Sequence, residues 1–202
     1  GVSALIPHIP KKGFTKTVFM DASSAILLYK SDLFTPLLNR WQPVMAPAVF
    51  REITERGYPG AAYFKTLETK NQTRAARIIL REPGPTDHPL FALKKFLAMD
   101  RGEKETLQIF CNSNRLEKTG AFVLVDDGRA ARFCHARQIP FINALLVPKI
   151  FWYSGFMDQQ DYLKKTARLC ELGRYSKPIM ERAKQFSRKE LAYFIQGNSH
   201  EH

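Results

Sequence analysis

Five carboxylates stand in this chain where an acid can do chemistry. Asp21 closes the apolar run Thr17-Val18-Phe19-Met20, and Asp126-Asp127 close the run Phe122-Val123-Leu124-Val125. Each run reads as a strand, and each is followed at once by a helical stretch. In an open α/β sheet, acids at the carboxyl ends of strands project into the crevice where ligands bind. Glu52 and Glu103 lie in helical stretches that can face the same crevice. Hard oxygen ligands gathered in this way, in a basic protein, point to a divalent cation held near a nucleic-acid phosphate.

Each acid also has an ordinary structural use. Asp caps helices well, although Ser23 and Ser24 can cap the helix after Asp21 and leave that carboxylate free. Of Asp126 and Asp127, one can ligate while the other caps the helix starting near Arg129, and an Asp-Asp-Gly turn accounts for both equally. Asp100 and Glu103 stand close to capping-box spacing. Glu52, with Glu55 nearby, has the solvated face of a surface helix as its alternative. Other chemistries lack their signatures. There is no glycine-rich phosphate loop and no Gly-x-Ser-x-Gly elbow. Cys134 and His135 are helical neighbours that diverge, and no third ligand has suitable spacing. Phe151-Trp152-Tyr153 can stack on bases or pack where a C-terminal extension meets the core.

The elements that must position these residues alternate. The first 16 residues read as a loose lead-in, broken by Lys11-Lys12-Gly13. Strands are expected at Thr17–Met20, Pro43–Ala46, Ala121–Val125 and Pro140–Asn143. An edge strand is expected at Ala75–Leu80, with Arg74, Arg77 and Arg81 adding positive charge. Between them come a helix facing inward through Ala25, Ile26, Leu28 and Tyr29, and one opened by Pro47 and stopped by Gly57. Further helices are expected at Pro89–Met99, Glu103–Ser113 and Arg129–Gln138. Strands alternating with helices imply βαβ units and a mainly parallel sheet. Beyond Pro148 the pattern turns all-helical, over Lys149–Tyr153, Asp158–Leu172 and Ser176–Phe186, ending in a polar tail at Asn198-Ser199-His200. The fold class is therefore α/β, a three-layer sandwich with a mainly parallel central sheet plus an all-α C-terminal extension. Its division is a core domain over 1–154 and an extension over 155–202, packed on or beside the core.

Composition narrows the partners. Lys and Arg outnumber Asp and Glu by 31 to 19, and this surplus of +12 favours an anionic partner: RNA, DNA, an acidic protein or a membrane surface. With 45% hydrophobic residues the chain of 202 residues can build a sizeable core, which argues against wholesale disorder. Cys111, Cys134 and Cys170 are odd in number and far apart, so free thiols in a reducing cytoplasm are expected rather than disulfides or a zinc ribbon. No apolar run approaches the roughly 20 residues of a membrane span. Gly1-Val2-Ser3 carries no signal-peptide pattern and is expected to be a trimmed end.

Taken in order, the pieces resemble the PIN-domain family of metal-dependent nucleases. The matching stretches are Asp21-Ala22-Ser23, Ala46-Pro47-Ala48-Val49-Phe50-Arg51-Glu52-Ile53, Met99-Asp100-Arg101-Gly102-Glu103-Lys104-Glu105-Thr106-Leu107 and Leu124-Val125-Asp126-Asp127-Gly128-Arg129-Ala130-Ala131-Arg132, with the strand at Ile139-Pro140-Phe141-Ile142 after them. The likeness covers about residues 17 to 150. The helical tail, with Leu172-Gly173-Arg174-Tyr175-Ser176 between helices, is similar to the extension of one prokaryotic subgroup, and the family includes the ribonuclease toxins of toxin–antitoxin pairs. The resemblance implies Asp21, Glu52, Glu103 and Asp126 as the catalytic acids and ligands of Mg²⁺ or Mn²⁺. It implies Ser23 in support, Asp127 as a substitute or outer ligand, and Asp100 as the fallback for Glu103. The departures are Glu103 where many relatives have Asp, Val125 for a usual Thr, and Asn143-Ala144-Leu145 for a Gly-Thr helix start.

By the same resemblance the expected activity is that of a ribonuclease, with DNA not excluded as substrate. Arg101, Arg129 and Arg132 would hold the flanking phosphates. An antitoxin protein and a second copy of the chain are the protein partners it implies. Two other readings stand beside it. One is a phosphatase-like enzyme with Asp21 as nucleophile, although Ser23 stands where that chemistry wants a second acid. The other is a catalytically silent module that binds RNA or protein on the same fold.

Overall fold

The computed structural model describes residues 16–68 and 77–195. The lead-in before Lys16, Arg74 with the first residues of the expected edge strand, and the polar tail at Asn198-Ser199-His200 lie outside the described residues.

Five short strands are described: β1 (Lys16–Met20), β2 (Trp41–Met45), β3 (Ile79–Leu80), β4 (Ala121–Leu124) and β5 (Phe141–Ile142). They form one sheet in the order β3-β2-β1-β4-β5, every pair parallel. All the residues of β2 and β4 are buried. That is why these strands read as unbroken apolar runs: a parallel sheet is covered on both faces. The helices are α1 (Ala22–Lys30), α2 (Phe34–Leu38), α3 (Pro47–Ile53), α4 (Ala61–Thr66), α5 (Lys94–Leu97), α6 (Arg101–Asn112), α7 (Arg115–Lys118), α8 (Gly128–Ala136), α9 (Val147–Tyr153), α10 (Gln159–Leu172), α11 (Lys177–Gln185) and α12 (Ala192–Ile195).

Strand alternation assigns the two covers. Phe19 projects onto Phe110 of α6, edge to face with centroids 5.6 Å apart. Val18 lies in register with Phe122. On that opposite face Phe122 meets Trp41 and Phe194 of α12, and Trp41 meets Phe151 of α9. The result is three layers, with Phe19, Phe122, Phe133 and Leu107 among the largest fully buried side chains.

Several expectations need correction. The helix expected over Pro89–Met99 is a 3₁₀ turn at Pro89–Ala92 and the single turn of α5, separated by Leu93 in extended geometry. The expected strand from Ala75 is described only as Ile79–Leu80. The cap of α1 is Asp21, not Ser23 or Ser24. Both serines already lie inside the helix, since Ala22 is its first residue. Among the described residues no helix is long and apolar enough to cross a membrane.

Candidate acidic site

The strand order fixes where the site lies. β1 has β2 on one side and β4 on the other, so the connections diverge here and open a crevice at the carboxyl ends. Met20 is in register with Leu124. Asp21 and Asp126 therefore leave neighbouring strands at the same edge of the sheet.

Asp21 is buried, and its Oδ1 accepts from the Ser24 amide at 3.1 Å and from Ser23 Oγ at 3.2 Å. Burial drives its carboxyl up to about 6, against the Ser24 amide bond, and the charge of Asp126 pushes the same way as burial. Ser24 serves both acids, because its hydroxyl donates to Asp126 Oδ2 at 2.7 Å. The other Asp126 oxygen accepts from the Ala144 amide at 3.0 Å and from the Tyr175 hydroxyl at 2.5 Å. Burial raises the Asp126 carboxyl, and these donors partly offset it. Burial and the Asp126 charge push the Tyr175 phenol far upward, so it stays protonated.

Glu103 enters from α6. Asp100 caps that helix by accepting the Glu103 amide at 3.0 Å. Only this half of a capping box forms, and the Glu103 side chain does not reach back. The residue is buried as a whole, but its carboxylate oxygens keep contact with solvent and, among the described residues, accept no hydrogen bond and pair with no cation. Burial first, then the charges of Asp100, Asp127 and Asp21, raise it to about 8. Those charge couplings join Glu103, Asp100, Asp127 and Asp21 in one electrostatic neighbourhood. Asp127 caps α8 with one oxygen, accepting from the Arg129 and Ala130 amides at 2.9 and 3.2 Å.

Glu52 is not drawn into this neighbourhood. It is exposed on α3, among the described residues its side chain makes no hydrogen bond, and it is not among the charges acting on Asp21 or Glu103. The helix itself does flank the crevice: Val49, one turn earlier, lies 3.9 Å from where a Cβ on Gly102 would stand.

A basic collar of three arginines lies on α6 and α8, the helices that follow Asp100 and Asp127. Arg129 Nη1 donates to the Ala98 carbonyl at 3.1 Å and so ties α8 to the turn that carries Asp100. Arg101 pairs with Glu105 at 2.9 Å with most of its side chain in solvent, and Arg132 is exposed on α8. Trp152 offers no platform for a base. Tyr153 and Tyr162 stack against it at 5.0 and 4.6 Å, and Phe151 is buried in the core.

The donor set is all oxygen, largely buried and free of ion pairs among the described residues, which is the chemistry a hard divalent cation requires. As they stand, no three His, Cys, Asp or Glu side chains among the described residues form a group that could hold a metal ion. Asp21, Glu103 and Asp127 keep oxygens without a donor, whereas both Asp126 oxygens are engaged. Reasoning from sequence missed Tyr175 and the second use of Ser24. The only signal for Tyr175 was its position between a glycine and a helix-capping serine. No protein-family model, curated protein or solved structure matches the chain.

Proposed function

We propose that the chain is a metal-dependent nuclease of PIN-like type, with RNA as its substrate. One observation carries the reading. Asp21 and Glu103 are buried at the crevice end of a parallel sheet, with no compensating cation among the described residues, in a chain of net charge +12. Uncompensated buried carboxylates are costly unless a ligand or a proton neutralises them.

In this reading Asp21, Glu103 and Asp127 hold Mg²⁺ or Mn²⁺, with Asp126 behind them and Ser23 hydrogen-bonded to Asp21. The bound cation would supply Lewis acidity toward a phosphodiester and a water of lowered pKa. Without the cation, Glu103 holds a proton on its own carboxyl at neutral pH, and occupancy requires that proton to leave. Asp21 keeps its orientation through the Ser24 amide. Arg101, Arg129 and Arg132 bind the flanking phosphates and orient the strand. An antitoxin-like protein that masks this collar, and a homodimer, belong to the same reading.

The test is cleavage of a long structured RNA with Mn²⁺, with Mg²⁺ and with EDTA, comparing the wild type with Asp21→Asn. Metal-dependent cleavage that the substitution abolishes supports the proposal. Equal activity of both proteins, or none in any metal, sinks it. A second reading, a PIN-like module that binds RNA without cleaving it, is favoured by the engaged oxygens of Asp126 and by Glu52 standing apart from the other acids. It predicts retained RNA binding with no cleavage.

A further inference from the structure

Among the described hydrogen bonds that join the C-terminal extension to the core, Tyr175 to Asp126 is the one made between two side chains. Lys149, Tyr153, Arg188 and Tyr193 all bridge the two parts through backbone carbonyls. The Tyr175 bond spans 49 positions of sequence and ends on an acid of the site.

The loop that presents Tyr175 is built for it. A Cβ on Gly173 would stand 2.8 Å from Tyr175 Cδ2 and 2.9 Å from the Leu169 carbonyl oxygen, so only glycine lets the ring fold back there. Arg174 takes a left-handed φ of 47°, a conformation that costs a non-glycine residue energy and persists only where neighbours enforce it. The next helix is fixed at its far end. Lys149 Nζ donates to the carbonyls of Ala183, Lys184 and Phe186 at 2.7, 2.7 and 2.9 Å, capping the last turn of α11. Tyr175 is thus delivered to Asp126 by a clamped element. From Asp126 the chain of bonds continues through the Ser24 hydroxyl, and the Ser24 amide holds Asp21.

From this geometry we infer that the extension completes the acidic site. Tyr175 is a positioning residue that, with Ser24 and the Ala144 amide, fixes the orientation of Asp126 and, through Ser24, of Asp21. The inference rests on the nuclease reading above. A docking tether alone would need only apolar packing or a backbone acceptor. A phenol aimed at a site carboxylate does more: it holds Asp126, which Ser24 joins to the ligand Asp21, and partners that orient ligating groups typically change metal affinity 10- to 100-fold when removed.

The experiment is a double-mutant cycle on the full chain with Tyr175→Phe and Asp126→Asn. It is read by urea unfolding, by Mn²⁺ titration monitored by electron paramagnetic resonance, and by steady-state RNA cleavage. The expected result is non-additive unfolding midpoints, Mn²⁺ affinity weakened about 10-fold or more by Tyr175→Phe, and kcat reduced with KM for RNA unchanged. Additive midpoints would overturn the inference. So would a coupled pair whose Tyr175→Phe protein matches the wild type in Mn²⁺ affinity and kcat, since that describes a tether only. A wild type that neither binds Mn²⁺ nor cleaves RNA removes the nuclease reading and this inference with it. That failure is visible before any substitution is made.

Discussion

Glu103→Gln is expected to stabilise the protein, and more so as pH rises. The Glu103 carboxyl moves from an ordinary 4.5 to about 8 in the folded chain. Below pH 4.5 both folded and unfolded states carry the proton and the group is neutral in its effect. Between 4.5 and 8 the unfolded chain releases the proton while the fold keeps it, so stability falls by up to about 1.4 kcal/mol per pH unit. Above 8 the loss is complete, with a ceiling of about 5 kcal/mol. Because the carboxylate keeps contact with solvent, screening reduces this to roughly 2–3 kcal/mol. Gln carries no charge at any of these values and escapes the loss. Urea unfolding at about pH 5 and about pH 8.5 measures the difference, and the substitution should gain roughly 2 kcal/mol or more relative to wild type between the two conditions. Saturating Mn²⁺, at about 100 times its Kd, should add about 2.7 kcal/mol to the wild type at the higher pH and much less to Glu103→Gln. A wild-type-to-mutant gap that stays constant across pH would refute the view of Glu103 as a buried, uncompensated acid.

Asp21 separates cap from charge. Asp21→Ala should lose about 1 kcal/mol with the cap of α1, whereas Asp21→Asn keeps a capping oxygen and should unfold at or above the wild-type temperature at neutral pH while losing cleavage. Differential scanning calorimetry beside the cleavage assay checks both. Lys149→Met leaves three carbonyls at the end of α11 without their donor and should cost about 2–4 kcal/mol, seen by urea unfolding and by earlier proteolysis within α11. Arg129→Ala removes one exposed bond to Ala98 and should change stability by under about 1 kcal/mol. It should nonetheless weaken RNA binding and lower its salt slope by about one, as filter binding across salt concentrations would show.

The parallel strands were legible because burial on both faces removes any need for polar alternation, and Pro47, Asp158 and Ser176 mark helix starts by chemistry that acts within three residues. The carboxyl-end placement of Asp21 and Asp126 came from the same runs. The features hidden from a sequence reading are long-range or marginal. Leu93 breaks the Pro89–Met99 stretch although nothing in its own chemistry forbids helix. Ser24 looked like a cap, but its hydroxyl acts 102 positions away on Asp126. Tyr175 sits in a loop whose only local marks are a glycine and a serine, and its partner is set by how α11 docks. Local periodicity carries no information about such pairings.

Hydrogen bonds are unevenly distributed among the acids. Asp21 caps α1 through one oxygen, Asp126 takes donors from Ser24, Ala144 and Tyr175 in separate elements, and Asp127 caps α8 through one oxygen. A cluster kept only for stability would be expected to give every member a donor from the protein. Glu103 breaks that pattern. It is buried within the field of Asp100, Asp127 and Asp21, it accepts no hydrogen bond among the described residues, and its carboxyl is pushed higher than that of Asp21. The neighbours are held by donors, while the one carboxylate without a protein donor meets solvent within their shared field. That asymmetry is what a site awaiting a cation would display, and it makes Glu103, more than the strand-end aspartates, the residue on which the nuclease reading turns.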